Sequence, residues 1–179
     1  MRKTIIFLAI NLIFAGFTFG QTKLERQKAI SIIENLMYNE YYLGVKHYEK
    51  TEITYNEIDD RIEINLIAFF GKDKNITVKT SLYKDDLDLK SMKYDLFEHE
   101  DGLFSVIVYI NAKGETIEEY MVDTNKSEFP VPISSTKYLD KLRFSTSKAL
   151  SKPLAEKFVE NIKILIGASE YKKSIIFKS

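Results

Sequence analysis

Residues 61–82 read RIEINLIAFFGKDKNITVKTSL, and their period decides the fold. Ile62, Ile64, Leu66, Ala68 and Phe70 alternate with Glu63 and Asn65, then Ile76, Val78, Thr80 and Leu82 alternate with Thr77, Lys79 and Ser81. Side chains that repeat every second residue lie on one face of a β-strand. Between the two runs, Gly71-Lys72-Asp73-Lys74-Asn75 supplies turn chemistry. The stretch is therefore a hairpin with one face turned to a core.

The same reading extends outward. Met92, Tyr94 and Leu96 alternate with Lys93 and Asp95, and further turns fall at Asp59-Asp60, Asp101-Gly102 and Asn111-Ala112-Lys113-Gly114. Linkers this short exclude parallel crossovers, which take a dozen residues or more. We expect six strands in an antiparallel meander, near 51–58, 61–70, 76–83, 90–99, 103–111 and 115–122. Two segments are apolar on both faces: Leu103 to Ile110, and Leu66 to Phe70. Such strands are covered twice or line a cavity, so the sheet is expected to curl around something in its concave face.

On either side of the sheet the period becomes helical. Ala29, Ile30, Ile33, Leu36, Met37 and Tyr41 recur at spacings of three and four across 23–42, opposite Glu25, Lys28, Ser31 and Asn35. Thr22 and Glu25 have the capping-box spacing, and Gly44 is a stop signal. Phe129-Pro130-Val131-Pro132 must be extended, and Tyr138, Leu139 and Leu142 suggest a short helix over 136–143. A last helix is expected from Pro153 to Ile166. Ser151 is its cap, Gly167 its stop, and Leu154, Phe158, Val159, Ile162, Leu165 and Ile166 its apolar stripe. Ile175-Ile176-Phe177 reads as a closing strand. The fold class is α+β, with an N-terminal helix, a curled antiparallel meander and a C-terminal helix packed on the sheet.

The first twenty residues, MRKTIIFLAINLIFAGFTFG, form a different kind of segment. Arg2 and Lys3 precede an apolar run from Thr4 to Phe19, and Thr18 and Gly20 stand at −3 and −1 of a signal-peptidase site. We read residues 1–20 as a signal peptide cleaved after Gly20 and residues 21–179 as a single exported domain, periplasmic or secreted. The alternative is an uncleaved anchor, but the run falls short of the roughly 20 apolar residues that span a bilayer, and Asn11 interrupts it. No cysteine follows for lipid attachment, since the chain has Cys 0. No stable membrane span is expected after cleavage.

Composition narrows function more by exclusion. Without disulfides, an exported chain relies on its core alone, and the 11 Tyr and 12 Phe equip it for that. Cleavage removes Arg2 and Lys3 and leaves 24 Lys and Arg against 26 Asp and Glu, a net charge of −2. That balance lacks the basic footprint nucleic acid requires. Cysteine nucleophiles are absent, and no serine sits in a nucleophile elbow.

Two histidines, His47 and His99, cannot supply the common zinc spacings. His47 lies among Tyr41, Tyr42 and Tyr48, a cluster able to stack on a sugar or base but equally suited to packing. His99 reads as a solvated hairpin tip beside Asp101-Gly102. Asp85-Asp86-Leu87-Asp88 is oxygen-rich but lacks the EF-hand glycine and glutamate. Glu118-Glu119 and Asp59-Asp60 are sequence neighbours, which places the members of a strand pair on opposite faces. Asn75-Ile76-Thr77 and Asn125-Lys126-Ser127 match the glycosylation sequon, relevant only in a eukaryotic source.

No cofactor and no metal are expected, and no catalytic residue is assigned. The first expectation is a non-catalytic binding module of the cell envelope, with a protein or an apolar small molecule as partner. The second is a carrier of an acyl chain, its site built from Phe69, Phe104, Val106, Val108 and the stripe of the last helix. The third is a hydrolase of an envelope polymer that uses carboxylates.

Overall fold

A computed structural model describes residues 23–37, 48–69, 75–123, 131–132, 134–146, 149–168 and 172–177. The fold is α+β. Helix α1 spans 23–36. Strands β1 (Tyr48–Asn56), β2 (Arg61–Phe69) and β3 (Asn75–Tyr83) follow it, with 3-10 turns at Lys84–Asp86 and Leu89–Ser91. Then come β4 (Lys93–Glu98), β5 (Phe104–Asn111), β6 (Ile117–Asp123), β7 (Val131–Pro132), β8 (Lys137–Leu139) and β9 (Lys141–Ser145). Helix α2 (Lys152–Ile166) and β10 (Lys172–Phe177) complete the order. None of these helices is long and apolar enough to cross a membrane.

The strands form two open sheets. One has the order β1-β2-β3-β6-β7, with β8 also on β6; the other runs β10-β4-β5-β9. Neighbours β1-β2, β2-β3 and β4-β5 pair antiparallel, as a meander requires. Between β3 and β4, however, the chain changes layer. The two 3-10 turns carry Leu87 and Met92 into the core, so β4 starts a second sheet and β6 returns to the free side of β3. The closing strand β10 pairs parallel with β4, which the long excursion through β5 to α2 permits.

Packing follows the alternation. Ile62 faces Leu82, Ile64 faces Thr80 and Leu66 faces Val78 across β2 and β3. Ile62, Ile64 and Leu82, with Leu66 packed against them, join Val106, Val108 and Ile110 of β5 and Phe158, Val159, Ile162, Leu165 and Ile166 of α2 in one hydrophobic cluster. Ile33 and Met37, from α1 and the residue after it, complete it. The two faces of the doubly apolar β5 differ among the described residues. Its inner residues are buried, whereas Ile107 and Tyr109 on the outer face stay half-buried, Tyr109 beneath the Lys93 ammonium at 5.6 Å.

Several local expectations change. Residues 137–139 and 141–145 are strands, not a helix, because Leu142 and Phe144 are buried while Lys141 and Arg143 are exposed. Helix α1 is described to residue 36, where the Met37 N–H still bonds Ile33 O and the Met37 carbonyl accepts from Thr51 Oγ1 at 3.1 Å; residues 38–42 of the expected helix lie outside the described residues. Thr22, Tyr41, Gly44 and His47 lie outside the described residues. Gly167 closes α2 in the left-handed region (φ 73°), its N–H bonded to Lys163 O at 2.9 Å. Ser151 caps by backbone alone, its hydroxyl making no cap bond, and Leu154 is exposed while Ala155 takes its place in the core.

Candidate functional site

Edge strand β1 and helix α1 build the most developed concavity among the described residues. The pairing of β1 with β2 places Ile53 opposite Ile64 and Tyr55 opposite Ile62. The Ile53 N–H points away from β2 and donates to Glu34 Oε1 at 2.7 Å. Helix α1 therefore covers the strand edge at Ile53 with Glu34, and the Met37 carbonyl that follows the helix accepts from the Thr51 hydroxyl. Toward its N-terminus the helix leaves a cleft of about 660 Å³ beside Ile53, Thr54, Tyr55, Asn56, Glu57 and Ile58. Lys23, Arg26, Gln27 and Ile30 form the opposite wall.

Four charged and aromatic groups hold that end of the hairpin. Arg26 Nη1 ion-pairs with Glu57 Oε2, and its guanidinium lies 3.8 Å from the Tyr55 ring centroid. The Tyr55 hydroxyl in turn donates to Asp60 Oδ1. Asp60 adopts a positive φ of 53°, a conformation Asp tolerates better than most residues. Burial pushes the Tyr55 phenol well above its ordinary range, the Asp60 bond reinforces this, and Arg26 opposes it. Tyr55 thus stays protonated, with both carboxylates engaged. This arrangement stiffens a wall and holds no free acid–base pair. At the tip, Ile58 is 95% exposed, an isolated aliphatic side chain at the mouth of the cleft.

The residues singled out in the sequence scatter elsewhere. Val106, Val108, Phe158 and Ile162 are each 0% exposed, so no water-sized void touches them; Phe104 is half-buried and the Phe69 side chain lies outside the described residues. Asp88 accepts from Lys90 N at 3.2 Å and caps the second 3-10 turn, while Asp85 contributes its carbonyl to Lys113 Nζ at 2.7 Å. No three His, Asp or Glu side chains among the described residues converge as a metal site. Glu118 faces Ser81 and Glu119 faces Thr80, on opposite faces of the sheet. His99 is half-buried, not a solvated tip: its Nε2 lies 2.7 Å from Ser105 Oγ across the β4–β5 hairpin. The exposed tip is Glu100-Asp101-Gly102.

No motif marked the cleft. The one available signal was Arg26, a charge standing three and four residues before Ala29 and Ile30 on the apolar stripe of α1. Its side chain is only 15% exposed. Comparison with protein-family models, with curated proteins and with solved structures found no match.

Proposed function

We propose that this chain is an exported, non-catalytic binding module of the cell envelope, and that it binds at the α1–β1 cleft. The observation that supports this is the cleft itself. Arg26, Tyr55, Glu57 and Asp60 brace one end of it, and its walls mix aliphatic and polar side chains in the manner of a recognition site. Engaged carboxylates and a protonated phenol suit holding a ligand better than transforming one. The filled space between β5 and α2 weighs against the acyl-chain carrier, since a cavity would leave accessible surface on Val106, Val108, Phe158 and Ile162. Export rests on the charged start, apolar run and small residues of 1–20.

Native mass spectrometry of protein purified gently from its own envelope tests both parts. The expected spectrum has one species that begins at Gln21 and carries no lipid-sized satellite. A satellite lost on harsher activation would favour the carrier, and a species retaining residues 1–20 would overturn cleavage.

A further inference from the structure

We infer that the ligand of this cleft is an extended polypeptide segment that adds to the edge of β1 facing away from β2, as an extra strand beside Tyr55. The inference deepens the binding-module reading and rests on it. Its basis is the hydrogen-bond parity of the sheet. In an antiparallel ladder, residues alternate between bonding the neighbour and facing the other side. Ile53 faces away from β2, as its bond to Glu34 shows. Tyr55, two residues on and directly opposite Ile62, faces the same way. Parity holds through the sheet: Met121 N, on the side of β6 away from β3, donates to Ser134 Oγ at 2.9 Å.

Helix α1 satisfies the edge at Ile53 and then stops doing so. Among the described residues nothing pairs with the Tyr55 N–H and C=O, which open into the cleft. A peptide main chain carries the complementary acceptor and donor at the spacing of a strand, whereas an acyl chain carries neither. Alternate side chains of such a strand would meet Ile30 and Ile53, which supply the apolar part of the lining. Charge narrows the ligand further. Arg26 is neutralised by Glu57, but Lys23 on the same wall has no ion-pair partner among the described residues. An acidic residue or a C-terminal carboxylate complements it.

The test selects random heptapeptides displayed on phage against the mature chain, with the Gln27→Trp variant, which fills the cleft, as counter-target. A heptapeptide extends about 23 Å, enough to follow residues 53–58. Synthetic copies of the enriched peptides are then N-methylated one position at a time, which alters the probe and leaves the protein's folding untouched. Strand addition predicts at least a tenfold loss of affinity at the one position whose N–H meets the Tyr55 carbonyl and less than twofold at the positions beside it. It also predicts acidic residues in the enriched set and a fivefold weaker binding to Lys23→Glu. Peptides that bind wild type over Gln27→Trp with a flat N-methyl profile would overturn strand addition yet keep the cleft as a binding site. No enrichment over Gln27→Trp would sink both. Slow exchange of the Tyr55 amide in the free protein would show the edge already occupied by the chain itself, and would overturn the inference.

Discussion

At the residue scale, Tyr55 connects the hairpin tip to the helix through two kinds of interaction. Its ring lies under Arg26 and its hydroxyl bonds Asp60. Tyr55→Phe keeps the first and removes the second; a hydrogen bond to a charged acceptor is worth about 1.5 kcal/mol or somewhat more, and urea denaturation at pH 7 should register a loss of that size. The pH dependence has a definite sign. Burial raises the phenol of Tyr55, and burial followed by the nearby Glu156 and Glu160 raises that of Tyr94. Each group is therefore neutral in the folded chain where the unfolded chain has begun to ionise. Their contribution is complete below the ordinary phenol value of 10.0 and declines as pH climbs above it toward the folded values. Stability should fall across this alkaline range, and Tyr55→Phe should flatten the fall; an equal slope in both proteins would contradict the assignment. None of this was legible in the sequence, because Tyr55 and Asp60 look like an ordinary strand residue and an ordinary turn residue until the hairpin closes.

At the scale of elements, alternation located every strand of the two sheets' centres. Ile62–Ala68 read directly as a buried face because period-two burial needs no knowledge of the partner, whereas Leu103–Ile110, apolar on both faces, left open which face is the inner one. What the pattern could not carry was the assignment of strands to layers. Whether β4 follows β3 in one sheet or opens another depends on where Leu87 and Met92 find a core, a tertiary matter. The helix expected over 136–143 fails for a related reason, since its three apolar residues fit either period. Helix α2 gives two contrasting expectations. Gly167→Ala forces a side chain into φ 73° and brings its Cβ within 3.1 Å of Lys84 Cε, so thermal unfolding should show a loss of about 1 kcal/mol. Ser151→Ala removes a hydroxyl that makes no cap bond, and should cost less than the roughly 1 kcal/mol typical of a bonded cap.

At the scale of the whole molecule, the two sheets and both helices share one hydrophobic cluster. Unfolding should therefore be a single transition, with far-ultraviolet dichroism and tyrosine fluorescence coincident, since the chain has Trp 0. Phe158 is fully buried within the cluster, and Phe158→Ala should lower stability by about 3–5 kcal/mol while keeping the transition single. Two separated transitions would mean that the layers fold independently. The buried contact of β5 with α2 turns attention outward, to the cleft between α1 and β1. The claim that this cleft is the recognition surface is tested most directly by placing a photo-crosslinking side chain at Gln27, inside it, and at Tyr138, exposed on β8, in the native envelope. The account predicts a discrete adduct from position 27, competed by a peptide enriched on the cleft, and none from position 138. Equal labelling from both positions, or an adduct from 138 alone, would contradict it.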